Sequence, residues 1–360
     1  MNQINKTDTQ LLKGIGILMI VFHNYLHFLP PYIGENEFNF DSNRLCRFWE
    51  AIITTPFNTW SHVLSFLGHY GISIFIFLSA YGLYLSQDKN NYSIKDFLVK
   101  RVYKLYPAFI IVLVLFLIYA YFNNHAIGIG LFMKLGVKVL AISNLIPNEF
   151  LSVNGPWWFF TMIVQFYIFF PILFKLSKKW KHFNVSLLAF GLLLLYLSYY
   201  YDILIKSSFL GFLPDIAIAF AIAQRKSIPK VIRKPIILLI LLCAIILSQH
   251  FWFLWPLSSP VFALFCVGLY SYWPKRISSI LSKFTLFYGA ISYYLFLSHG
   301  FIRESFITNN LNNLWYGRIL LLTVYLLSAT LLSLIVSQGE KLINHTIKKV
   351  LPKQIMSNND

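Results

Sequence analysis

Five histidines, one basic cluster and one glutamine stand in stretches of this sequence that are otherwise apolar. His23 and His27 lie one helical turn apart near the end of LLKGIGILMIVFHNYLHFL, residues 11–29, and Lys13 lies near its start. Histidine is the side chain most able to carry a proton near neutral pH. An ionisable group at membrane depth is costly unless it has a partner or faces a functional cavity. Lys13 and His23 are ten residues apart, about 15 Å along a helix, too far for a direct pair. His62 and His69 in the next apolar stretch read equally as two turns of a polar face or as residues that only hydrogen-bond across the bundle. His299 lies near the end of YGAISYYLFLSHG, which also holds Tyr293. The segment KRVYKLYP, residues 100–107, gathers Lys100, Arg101 and Lys104 ahead of Pro107. As chemistry this is a cation site for the phosphates of a cytosolic donor, where arginine's rigid fork is effective. As structure it is a cluster of topology-setting charges beside an aromatic belt. Gln165, in WWFFTMIVQFYIFFP, is an amide that needs a partner if hydrocarbon surrounds it.

No metal is expected. The sequence has no HExxH, no carboxylate within the span beside His23 and His27, and no ligand spacing among Cys46, Cys243 and Cys266. A glycine-rich phosphate loop and a serine nucleophile elbow are also missing.

The elements that carry these residues are membrane helices. Of 360 residues, 58% are hydrophobic and only 12% charged, about half the charged share of an ordinary soluble protein. The fold class is therefore all-α, a polytopic helical membrane protein with about ten transmembrane helices. The expected spans are 11–29, 59–86, 107–122, 157–174, 184–201, 209–223, 235–250, 257–272, 284–301 and 318–337. The net charge of +17 would suggest nucleic acid in a soluble chain. Here it reflects positive flanks facing the cytoplasm and its anionic lipids, so no nucleic-acid partner is expected. With this count, 23 of the 30 lysines and arginines fall on one side. That side should be cytoplasmic, with both termini inside and residues 342–360 a short cytoplasmic tail.

Residues 126–146 are apolar, yet a full crossing would put Lys175–Lys181 outside. With Gly128, Gly130, Gly136, Lys134 and Lys138, they read as an interfacial or re-entrant element on the outer side. The outer loop 30–58 is acidic in balance, with Glu35, Glu37, Asp41 and Glu50 against Arg44 and Arg47. The first apolar run is long and lacks a small-residue cleavage site, so it reads as an uncleaved span. No soluble domain is expected at either end. On residues alone, a polar interior in a membrane protein fits a transporter or an enzyme equally.

Five segments in order resemble the bacterial integral-membrane acyltransferases of type three, which include polysaccharide and lipopolysaccharide O-acetyltransferases. LLKGIGILMIVFHNY is similar to the family's opening span, with Lys13 where arginine is common and His23 at the histidine, one residue closer than usual. YGISIFIFLSAYGLYLS resembles its FFxLSGF segment through Gly71, Ser79 and Gly82, with Ala80 in place of a glycine. KRVYKLYPAF resembles its arginine tract ending in Tyr-Pro, and WWFFTMIVQFYIFFP its Trp…Gln-Phe-Tyr…Pro segment, through Trp158 and Gln165. YGAISYYLFLSHG resembles its Ser-Tyr…His signature through Ser292, Tyr293 and His299.

The resemblance implies a transmembrane acyltransferase domain over 1–341 in the bacterial cytoplasmic membrane. Its donor would be a cytosolic acyl-CoA, most often acetyl-CoA, and its acceptor a sugar hydroxyl of an envelope glycan, an exopolysaccharide or a lipid-linked precursor. His23 would be the general base, with Lys13 and His299 in the catalytic set. Arg101, Lys100 and Lys104 would hold the donor, and Gln165, Tyr293, His69 and Trp158 would line the cavity. Direct transfer and an acyl-histidine relay are both open. The rival classes are a glycan exporter, for which two broken-helix halves should be visible, and a non-catalytic partner of a polysaccharide synthase.

Overall fold

The computed structural model describes residues 3–33, 37–272 and 280–350, the side chains of 347–350 excepted. Glu35, the basic residues Lys275 and Arg276 and most of the expected C-terminal tail lie outside the described residues. Fourteen helices are described: α1 Lys6–Leu26, α2 Arg44–Thr54, α3 Thr59–Gly68, α4 Gly71–Asn90, α5 Ile94–Phe122, α6 Ile129–Val139, α7 Trp158–Lys179, α8 Phe183–Tyr200, α9 Leu213–Gln224, α10 Pro235–His250, α11 Ser258–Tyr270, α12 Ile280–Ile302, α13 Glu304–Ile307 and α14 Trp315–Val350. Among the described residues, six helical segments are long and apolar enough to cross a membrane: Pro56–Asn90, Ile94–Phe122, Gly155–Lys179, Phe183–Tyr200, Ile280–Ile302 and Trp315–Thr346. α1 has 21 residues, but Lys13, His23 and Asn24 interrupt its apolar character. The segments ending in α9, α10 and α11 are apolar but shorter.

α1 is the central strut. It packs against α12 on one side and against α3 and α4 on the other, while α4 leans on α9 and α11, and α12 on α14. Small residues make these approaches possible. A Cβ on Gly14 would collide with the Thr285 carbonyl of α12, and one on Gly289 with the Gln10 carbonyl of α1. On the opposite face a Cβ on Gly68 would lie 2.5 Å from the His23 Cβ, and one on Gly71 would meet the Gly16 carbonyl. Membrane helices lack a hydrophobic force between them, so close backbone contact of this kind is what binds them.

Each of the ten expected spans falls on helix, with two differences that have physical causes. The expected span 59–86 is broken: α3 stops at Gly68 and α4 restarts at Gly71, where each glycine backs onto α1. The expected span 107–122 begins much earlier, at Ile94, capped by Ser93, whose hydroxyl accepts from the Asp96 N–H. Pro107 is therefore inside a helix, where its missing N–H removes one backbone bond. Residues 126–146 form the 11-residue α6 and a single 3-10 turn. At about 16 Å the helix is too short to cross the hydrocarbon core.

Candidate functional site

The break between α3 and α4 decides how His23 is held. A helix end leaves its last carbonyls without intrahelical donors. In α3 the His69 N–H turns to Leu67 O, so Ser65 O and Phe66 O lose their usual partners. Ser65 O is taken by His23 Nδ1 at 2.7 Å, and Phe66 O by Arg44 Nη2 at 3.1 Å. A carbonyl can only accept, so Nδ1 of His23 carries a proton and Nε2 is the nitrogen left for chemistry.

Nε2 does not stand alone. Glu37, from the loop after α1, places Oε2 3.2 Å from His23 Nε2 and 3.5 Å from His27 Nε2. A hydrogen bond between Nε2 and Oε2 requires one proton shared between them. Burial alone would raise the Glu37 carboxyl. His23, His27 and Arg44 together outweigh it and hold the group at about 2, so Glu37 is an ionised carboxylate. Arg44 also donates through Nη2 to His69 Nδ1 at 3.1 Å. Arginine cannot give up its proton, so His69 is neutral at Nδ1 and keeps its own N–H on Nε2. The His23 ring lies 4.7 Å from the His27 ring and 5.5 Å from the His69 ring, centroid to centroid.

These groups face a cavity of about 550 Å³, the outer cavity, lined by His23, His27, Glu37, His69, Trp158 and Arg303 among others. The guanidinium of Arg303 sits 3.6 Å above the Phe28 ring and donates through Nη1 to Asn24 O. Behind His69 lies a buried polar chain. Ser73 donates to Ser259 at 2.8 Å, and Ser259 to Asp215 at 2.7 Å. Lys206, 3.6 Å over the Trp255 ring, has its ammonium brought down to about 7 by burial, against the pull of Asp215.

A second cavity, of about 340 Å³, lies toward the N-terminal half of α1. Lys13, Lys104, Tyr293, Tyr167, Ser292 and Glu340 line its polar part, and this is the inner cavity. Lys13, Lys104 and Arg101 are near enough to repel one another. Tyr293 ties α12 to α5 by donating to Leu105 O at 2.6 Å.

The expected residues thus divide. His23, His69 and Trp158 come together in the outer cavity, and Lys13, Lys104 and Tyr293 in the inner one. Arg101 stands just behind the inner cavity, its guanidinium 5.6 Å from the Tyr167 ring, whereas Lys100 turns away onto Tyr92. Gln165 lines neither cavity. It exchanges hydrogen bonds with Asn144 and donates to Ala141 O, pinning the turn after α6 to α7. His299 is buried with Nδ1 donating to Leu295 O of its own helix, and it lines neither cavity.

Sequence reasoning missed Glu37, Arg44 and Arg303. The acidic loop after a span ending in two histidines was the available signal. Its carboxylate also changes the metal question, because the nearest donor atoms of His23, His27 and Glu37 all lie within 4.8 Å of one another. Two histidines and a carboxylate are a zinc-type donor set. The cationic Arg44 acting on the same carboxylate works against a second cation there.

Searches of curated proteins and of solved structures return no match. A sequence profile for an acyltransferase domain matches residues 8–338, nearly the whole chain and every helix that builds the two cavities. The chain therefore belongs to the bacterial integral-membrane acyltransferase family of type three, as a multi-pass O-acyltransferase of the cytoplasmic membrane.

Proposed function

We propose that this protein moves an acetyl group from cytosolic acetyl-CoA to a sugar hydroxyl of an envelope glycan, an exopolysaccharide or a lipid-linked precursor. The observation that carries the proposal is the pair of cavities along α1: one is cationic, with Lys13 and Lys104, and the other holds the His23–Glu37 pair. The ten helical stretches cross the membrane with both termini in the cytoplasm. The inner cavity then opens toward the donor, and the outer toward the acceptor.

In this reading Lys13, Lys104 and Arg101 attract the phosphates of CoA, and the thioester end reaches toward His23. The acceptor hydroxyl takes the place of Glu37 at Nε2 after that nitrogen has lost its proton to solvent, so His23 enters the reaction as a neutral base protonated only at Nδ1. The carboxylate has a second resting partner in His27 Nε2, 3.5 Å from the same oxygen. As the hydroxyl oxygen bonds to the thioester carbon, Nε2 accepts the hydroxyl proton. The C–S bond then breaks, and the departing thiolate takes that proton to become CoA thiol. Charge on the carbonyl oxygen is met by donors already in place, the His69 Nε2–H and the Arg303 guanidinium. Trp158 offers an aromatic face to the sugar. Tyr293 shapes the donor cavity, while Gln165, Lys100 and His299 support packing.

Mass spectrometry of envelope glycans from cells with and without the protein tests the reading. One acetyl increment per modified sugar should vanish without it, and should also vanish in a His23→Ala variant that still accumulates in the membrane. Normal acetylation by that variant would remove His23 from the mechanism. Loss of a whole sugar class from the surface would favour export instead.

A further inference from the structure

Among the described residues, the outer and inner cavities meet at one side chain. Phe296 of α12 lines both. On α4 the boundary falls between Ile72, which lines the outer cavity, and Phe75, which lines the inner. On α7 it falls between Trp158 and Phe159 in the same way. Three phenylalanines from three helices therefore stand at one level. Their ring centroids lie 6.4 Å apart for Phe75 and Phe159, and 4.9 Å apart for Phe159 and Phe296. The fourth wall is α1, at Gly16. A Cβ there would lie 3.0 Å from the Phe75 ring, so glycine lets that ring seat against the helix.

We propose that Phe75, Phe159 and Phe296 form an aromatic septum across the acyl path, and that Phe296 limits the length of the acyl chain that reaches His23. The proposal rests on the reading that the donor enters the inner cavity. An apolar partition suits the reaction. Charged phosphates gain nothing by entering it and stay with Lys13 and Lys104, whereas a short acyl group can pass between rings at little desolvation penalty. Phe296 is the natural limit because, among the described residues, it alone contacts both spaces, so its removal joins them.

The test uses membrane vesicles from producing cells, which carry their own glycans, supplied with radiolabelled acetyl-, butyryl- or hexanoyl-CoA. The readout is the ratio of butyryl to acetyl incorporated into saccharide. Opening room for two more methylenes should raise this ratio about tenfold in Phe296→Ala, with Phe296→Leu between it and the wild type. Phe159→Leu should move it in the same direction and decides the matter if Phe296→Ala does not accumulate. A ratio unchanged in variants present in the membrane overturns the septum while leaving the donor reading intact. So does an equal loss with every donor. Wild-type vesicles that transfer no acyl group from any CoA overturn both.

Discussion

Glu37→Gln is the substitution that most directly probes the arrangement around His23. It keeps the shape of the side chain and removes its charge. Burial would raise the Glu37 carboxyl, yet His23, His27 and Arg44 hold it at about 2 instead of 4.5. That displacement corresponds to about 3 kcal/mol in favour of the ionised carboxylate. A hydrogen bond to a charged group is worth about 1.5 kcal/mol at the low end of its usual range, the end that suits a carboxylate displaced from Nε2 by the acceptor. If the carboxylate stabilises the imidazolium formed on proton transfer, its loss should lower kcat/KM about tenfold. A carboxylate that also set the tautomer would be worth far more, roughly 10⁴-fold in a serine-protease triad. Here the Ser65 carbonyl fixes the Nδ1 proton independently, which is why the smaller figure is expected.

Stability should respond as well. A carboxyl whose folded value is depressed stabilises the fold above its unfolded value, and that contribution is lost as pH falls through the folded value. The stability difference between wild type and Glu37→Gln should therefore hold from neutral pH to about 5 and close toward pH 2. Acyl transfer in vesicles and thermal melts of detergent-solubilised protein across this range are the assays. A variant with the wild-type rate and an unchanged melting profile would refute the pairing. A variant as inactive as His23→Ala, yet well folded, would make Glu37 itself the base.

Two other substitutions separate the halves of the site. Lys104→Met should raise the KM for acetyl-CoA about three- to tenfold with little change in kcat, and added salt should narrow the gap, as expected for a long-range cation–phosphate attraction. An unchanged KM would remove the inner cavity from donor binding. Lys138→Met withdraws the ammonium that donates to Glu149 O and Phe150 O at 2.8 and 2.7 Å, leaving two carbonyls short of a donor. Melting experiments should show a loss of about 2–3 kcal/mol. Because Phe150 lines the outer cavity, KM for the acceptor should rise while the donor KM stays the same.

Much of this architecture was legible in the chain because membrane helices announce themselves by length and composition. The ten apolar stretches, the separation of Lys13 from His23 and the shortness of 126–146 as a helix all follow from local pattern. What local pattern could not carry was contact between elements distant in sequence. Gln165 and His299 look functional as polar groups in apolar helices. Gln165 is satisfied by partners the sequence does not reveal, the Asn144 side chain and the Ala141 carbonyl. His299 bonds through Nδ1 to the Leu295 carbonyl of its own helix, and its buried Nε2 has no hydrogen-bond partner among the described residues. A buried polar residue signals only that some partner exists, and such partners are more often backbone than substrate.

The helix break shows the converse case, where a feature that looks structural sets the chemistry. Gly68 and Gly71 read as small residues that let helices approach, and they do so against α1. The same approach interrupts the helix, and the interruption frees the carbonyls of Ser65 and Phe66 for His23 and Arg44. One consequence is the tautomer of His23, and the other is the placing of Arg44 against both Glu37 and His69. Had residues 59–90 continued as one straight helix, Ser65 O would have bonded to its own backbone. Nδ1 would then lack its acceptor, and Nε2 would no longer be the reactive nitrogen by default. The histidine is thus specified less by its own span than by the place where the neighbouring span fails to be continuous.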